Sequence, residues 1–110
     1  MRRGEVWTAA GGPDYTGKPR PVVIIQDNRF DATASITVCG LTGTDIGAAA
    51  FRIRIDSNDR NGLLTPSYLM VDKIATMSRN KLRQRLGRLD DSELLLLDRA
   101  IVTFLGLGES

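Results

Sequence analysis

The chain contains no histidine, and that absence removes several chemistries at once. There is no Ser-His-Asp or Cys-His catalytic system and no imidazole-ligated metal site. A single cysteine, Cys39, closes no internal disulfide and builds no thiolate cage, so it reads as a small buried hydrophobe. No apolar run approaches the roughly 20 residues that cross a bilayer, and no cleavable leader pattern opens the chain, so a cytoplasmic protein is the expectation. Aromatics make up only 5% of the residues, so stacking on nucleobases would fall to few side chains. Tyr15 and Phe30 are the candidates, although single aromatics equally serve packing. Net charge is also small: 15 cations against 13 anions leave +2, which excludes a uniformly basic polyanion binder. No GK[ST]-type phosphate loop and no calcium loop are present. An enzyme built on this chain works with Arg, Lys, Thr, Ser, Tyr or carboxylates.

What is present has a clear order. At 110 residues the chain makes one domain, 1–110, with a single modest core. Cations gather at 16–20 and in "SRNKLRQRLGR", 78–88, while acids gather in "DDSE", 90–93. "GEVWTAA", 4–10, reads as a strand anchored by Val6 and Trp7. "GGPDYTGKP", 11–19, is a loop by composition and longer than a hairpin connection requires. "RPVVIIQ", 20–26, is a continuous apolar run suited to a central strand with both faces covered, and Pro21 restricts its start. "SITVCGLT", 35–42, is a third strand. "AAFRIRID", 49–56, alternates Phe51, Ile53 and Ile55 with Arg52, Arg54 and Asp56, as a half-exposed strand does. "SYLMVDKIATM", 67–77, is a fifth strand, and "NKLRQRLG" reads as a short helical turn. In the last segment Asp90 and Glu93 predict a capping box, Leu94, Leu97, Ile101 and Leu105 share one helical stripe, and Gly106 predicts the stop. The pattern is mainly β with a C-terminal helix packed on a small barrel or curled sheet.

Three residues stand out as chemistry. Arg20 lies between Pro19 and Pro21, where the backbone is restricted and a guanidinium is held for an anion, unless it simply flanks a barrel edge. Thr42 ends the third strand beside Gly43, either as a turn residue or as a hydroxyl that meets a phosphoryl oxygen. Asp72 interrupts an apolar strand, either turned to solvent or facing a cleft as an acceptor for base edges.

Four segments in order resemble one family. "RRGEVW", "KPRPVVIIQD", "VCGLTGT" and "LMVDKIATMSRNKLRQRLGRL" are similar to successive elements of the MazF/PemK/Kid toxins of bacterial toxin–antitoxin systems, as is the Leu-Gly-Leu ending. The resemblance implies a dimeric SH3-like (PemK/CcdB-like) small barrel. It also implies a ribosome-independent, metal-independent endoribonuclease that needs no cofactor and is neutralised by an antitoxin with a flexible acidic tail. Carried over by position, Arg20 and Thr42 are the implied catalytic pair. Asp14, Tyr15, Thr16, Lys18, Gln26, Gly43 and Asp72 form the implied substrate-binding set, with loop 11–19 covering the RNA. The chain departs from the family at three places. "PDYTGKP" replaces a Ser-Glu-Gln-like stretch, which leaves Asp14 as a candidate carboxylate; Lys73 replaces Gln after Asp72; and Ala75 replaces Arg before Thr76. Two other readings stay open on residues alone: a non-catalytic CcdB-like toxin blocking a protein such as gyrase, and an SH3-like nucleic-acid-binding module.

Overall fold

A computed structural model describes residues 1–10 and 18–108 of the chain, so Asp14, Tyr15, Thr16 and most of the expected loop 11–19 lie outside the described residues. Six strands, β1 (Glu5–Ala9), β2 (Arg20–Ile24), β3 (Ser35–Thr42), β4 (Arg52–Ile55), β5 (Ser67–Ser78) and β6 (Leu82–Arg88), precede one helix, α1 (Asp91–Leu105). They form one antiparallel sheet in the order β4-β5-β3-β2-β1-β6. The apolar run of β2 is explained by its central place. Val23 packs into the larger core beneath α1, with Val6, Cys39, Leu69, Val71 and Leu97, while Val22 and Ile24 face a smaller core with Ala9, Ile36, Val38 and Leu82. A strand with apolar neighbours on both faces cannot alternate.

The sheet curls without full strand-to-strand closure, and a loop seals it. Between β4 and β5, the backbone at Arg60–Gly62 lies against β6, where Arg88 N–H donates to the Arg60 carbonyl at 2.9 Å. Two glycines make that approach possible. A Cβ on Gly87 would lie 2.0 Å from the Arg60 oxygen, and one on Gly62 would lie 2.3 Å from the Leu86 oxygen. Asn61, fully buried, holds the loop: its amide nitrogen donates to the Asp56 carbonyl at 2.8 Å, and its amide oxygen accepts from the backbone of Asn58 and Leu63.

A second irregularity lies in β5. Cys39 pairs with Ile74 and Leu41 pairs with Leu69, so two steps along β3 correspond to five along β5. Such a bulge rotates the strand and re-aims its side chains. Before it, Leu69 and Val71 face the larger core; beyond it Ala75 pairs with Val38 on the opposite face.

Several expectations from the sequence are corrected. "NKLRQRLG" gives only a 3-10 turn at Arg79–Lys81, and its remainder is β6. Its residues favour helix locally, but pairing with β1 overrides that preference. The fourth strand spans only Arg52–Ile55, because Phe51 and Arg52 both donate to the Ala48 carbonyl in a turn. Arg52 does not point to solvent; it is 8% exposed and paired with Asp72. α1 starts and stops as expected. Asp90 accepts from Glu93 N–H at 2.8 Å while Glu93 accepts from Asp90 N–H at 2.9 Å, and Gly106 terminates the helix at φ 70°. Leu97 is buried and Leu94 and Ile101 pack partly on the core, but Leu105 is exposed. At that end Phe104 reaches Phe51, ring centroids 5.4 Å apart, and leaves Leu105 outside.

Candidate functional site

The smaller core is open at one end, and there the sheet forms a cavity of about 370 Å³. Its geometry follows from register. Val22 pairs with Gly40 across β2 and β3, and extending that register two residues sets Arg20 opposite Thr42. Both side chains leave the same face as Val22 and Val38, and both line the cavity. Val22, Val38, Met70 and Met77 also line it, giving an apolar floor, with Lys73 and Thr44 among its polar lining. Gly40 leaves room in that floor: a Cβ there would meet the Met70 methyl at 2.8 Å.

The polar lining combines hydroxyls and cations. Thr44 N–H donates to the Thr42 hydroxyl oxygen at 3.2 Å, which leaves the hydroxyl hydrogen available to donate elsewhere. Arg20, on the adjacent strand, is exposed. The start of the second basic cluster of the sequence adjoins the first here. Ala9 pairs with Arg20 on one side and Leu82 on the other, and Ala10 N–H donates to the Lys81 carbonyl at 2.8 Å. Arg20, Lys73 and the Lys81 backbone thus meet at this end of the sheet, while Arg79 donates to the Thr33 carbonyl and Arg85 pairs with Glu5 away from it.

The remaining expected site residues divide. Lys18 and Gly43 are exposed near Arg20 and Thr42 in the chain. Gln26 lies toward the opposite end of β2. Its amide nitrogen donates to the Phe30 carbonyl at 2.6 Å and the Thr33 hydroxyl at 2.7 Å, and its oxygen accepts from Thr37 N–H at 3.1 Å. Phe30 is there too, exposed, with the Arg29 guanidinium 5.6 Å from its ring centre. Asp72 is neither solvent-facing nor in the cavity lining: both its oxygens accept from Arg52, at 2.6 and 3.0 Å. Those hydrogen bonds hold the Asp72 carboxyl below the ordinary carboxylate range. Cys39 is buried, and burial, then the Asp72 charge, push its thiol up to about 12, which makes it a poor nucleophile.

Sequence reasoning missed Lys73, Thr44 and the methionine floor as cavity residues. A signal for Lys73 existed: in "LMVDKI" the apolar residues Leu69, Val71 and Ile74 are spaced by two and then three, which breaks strand alternation at the bulge. Among the described residues no group of three or more His, Cys, Asp or Glu side chains converges as a metal site. No helix among them is long and apolar enough to cross a membrane.

The chain resembles known proteins in sequence and in fold. Residues 2–105 match the family described as PemK-like, MazF-like toxin of type II toxin-antitoxin system. A protein of Mycolicibacterium smegmatis described as a probable endoribonuclease MazF is 52% identical over 108 residues, covering 98% of this chain and 99% of the relative. Among solved structures, the Mycobacterium tuberculosis toxin MazF-mt6 superposes with a TM-score of 0.80 at 28% identity, covering 94% of this chain and 97% of that one. A mycobacterial endoribonuclease in complex with its cognate antitoxin gives a TM-score of 0.82 at 25% identity, covering 100% of this chain and 99% of that chain. The match spans nearly the whole chain in both sequence and fold, and the chain belongs to the PemK-like, MazF-like toxins of type II toxin–antitoxin systems.

Proposed function

We propose that this chain is a toxin that cleaves single-stranded RNA at specific sequences, without ribosome or metal, and is neutralised by a cognate antitoxin. The observation that carries this reading is the convergence of Arg20 and Thr42 on one cavity in a chain of this family. The reaction is attack of an RNA 2′-hydroxyl oxygen on its adjacent phosphorus. The new P–O2′ bond forms as the P–O5′ bond breaks, a proton passes to the departing oxygen, and the products carry a 2′,3′-cyclic phosphate and a 5′-hydroxyl. Arg20 stabilises charge on the phosphorane oxygens, and such a preorganised contact contributes several kcal/mol to the transition state. Thr42 donates its hydroxyl hydrogen to a phosphoryl oxygen. Lys18 and Gly43 flank the RNA strand, and Asp14, Tyr15 and Thr16 are further substrate contacts in this reading. Gln26 and Asp72 act through the scaffold: the first pins the turn after β2, the second fixes β5 through Arg52. DNA lacks the nucleophile and binds without being cut.

The antitoxin's flexible acidic tail competes with RNA for the cation-lined cavity in the cytoplasm. The toxin acts as a homodimer, and the outer side of α1, which exposes Leu95, Leu96, Val102, Phe104 and Leu105, is the apolar surface available to such pairing. Sedimentation at micromolar concentration tests this; monomer alone rejects it.

The deciding experiment incubates the purified protein with a long single-stranded RNA in excess EDTA beside an Arg20→Ala control. We expect fragments with cyclic-phosphate and 5′-hydroxyl ends, and at least about a hundredfold slower cleavage by the control. Intact RNA, with a folded protein free of antitoxin, rejects the ribonuclease and favours a protein-blocking toxin.

A further inference from the structure

We propose that Lys73 chooses the base beside the cleaved bond, favouring the keto bases guanine and uracil over the amino-bearing adenine and cytosine. This rests on the ribonuclease reading of the same cavity. Strict alternation from Met70, which lines the cavity, would turn residue 73 toward the larger core; the bulge reverses that phase and brings Lys73 into the cavity lining. Asp72, its neighbour in the bulge, is fixed by two hydrogen bonds to Arg52 on β4. The bulge is therefore anchored from the far side, and Lys73 is presented from a held backbone.

The surroundings favour a base over a phosphate as the partner of Lys73. Arg20, Thr42 and Lys73 stand on three consecutive strands, β2, β3 and β5. Two strand spacings, about 10 Å, separate the strands of Arg20 and Lys73, comparable to the span from a phosphate to the outer edge of its own base. Val22, Val38, Met70 and Met77 lie in the lining and offer apolar surface to a base. Every charged side chain among the described lining residues is a cation, and none of those described residues brings a carboxylate or side-chain amide to the cavity. An ammonium there donates, and it finds adjoining acceptors at O6 and N7 of guanine or a carbonyl acceptor at O4 of uracil, whereas adenine N7 and cytosine N3 each lie beside an exocyclic amino donor. The exocyclic amino groups of adenine and cytosine turn donors toward it and are disfavoured.

The test uses a pool of RNA 30-mers with a randomised centre, cut by the wild type, Lys73→Ala and Lys73→Arg proteins, followed by sequencing of the fragment ends. The wild type should enrich guanine or uracil about tenfold over adenine and cytosine at one position flanking the cut. Lys73→Ala should lose that enrichment at that position alone, while Lys73→Arg keeps it. Lys73 is exposed, so equal melting temperatures are expected for the three proteins. Slower cutting by Lys73→Ala on all sequences alike, with the preference intact, would make Lys73 a phosphate contact and overturn the proposal. A wild-type preference for adenine or cytosine at every flanking position would also overturn it. The same pool is scored for retention on each protein without reference to cutting. Should the wild type cut nothing, the ribonuclease reading falls, and retention decides on Lys73 alone. Keto-base enrichment lost in Lys73→Ala sustains base choice, and no enrichment ends it.

Discussion

Between β4 and β5 a guanidinium and a carboxylate meet through two hydrogen bonds, with Arg52 8% and Asp72 22% exposed. A buried Arg left without its partner is costly, so Asp72→Asn should destabilise the fold by about 2 kcal/mol at neutral pH, less than for a fully buried pair. The pH dependence follows from the direction of the shift. Hydrogen bonding to Arg52 lowers the folded Asp72 value below its ordinary 3.8, so the contribution is complete above that value and lost as pH falls through the folded one. Urea denaturation of both proteins at pH 7 and pH 3 measures this. A difference between them that does not shrink in acid rejects the assignment. The pair was not legible in the sequence: the alternation of "FRIRID" points Arg52 outward, and nothing local says that Asp72 will face it. Arg20 and Thr42 were legible as candidates, because prolines and a glycine restrict the backbone around them. Their meeting depends on register between β2 and β3, which one sequence does not state.

Elements with strong local signals formed as read. β2 and β3 carry β-branched apolar runs, and α1 carries its capping box and its terminal glycine. β6 did not, since a run of Lys, Leu, Arg and Gln favours helix until β1 pairs with it. Its seam with the Arg60–Gly62 loop separates two glycines that look alike in sequence. Gly87→Ala places a methyl 2.0 Å from a backbone oxygen, and backbone must move; a loss above about 2 kcal/mol is expected. Gly40→Ala meets only the end of the flexible Met70 side chain, which can change rotamer, so its cost should stay below about 1 kcal/mol. Thermal melts of the two variants decide this; equal losses would mean that the seam yields as readily as a side chain.

On the scale of the whole molecule, a net charge of +2 hides a gathered field. Arg20, Lys73 and the start of β6 come to one end of the sheet from three distant parts of the chain. With Lys73 on a base, Arg20 and Lys81, just before β6, leave two phosphate-neutralising cations, and RNA affinity should fall with salt at a log–log slope of about −1.4, read by titration between low and physiological salt. A flat response would show that the cluster does not engage the backbone. The separation of these cations among strands also bears on how lineages of such toxins diverge. Residues 70–73 of the β5 bulge have no ladder partners on β3, so exchange at position 73 disturbs none of those pairings. Arg20 and Thr42 sit on other strands and are untouched by such an exchange. On the base choice proposed for Lys73, a descendant can drift to new RNA targets through one exposed side chain while Arg20, Thr42 and those pairings stay in place.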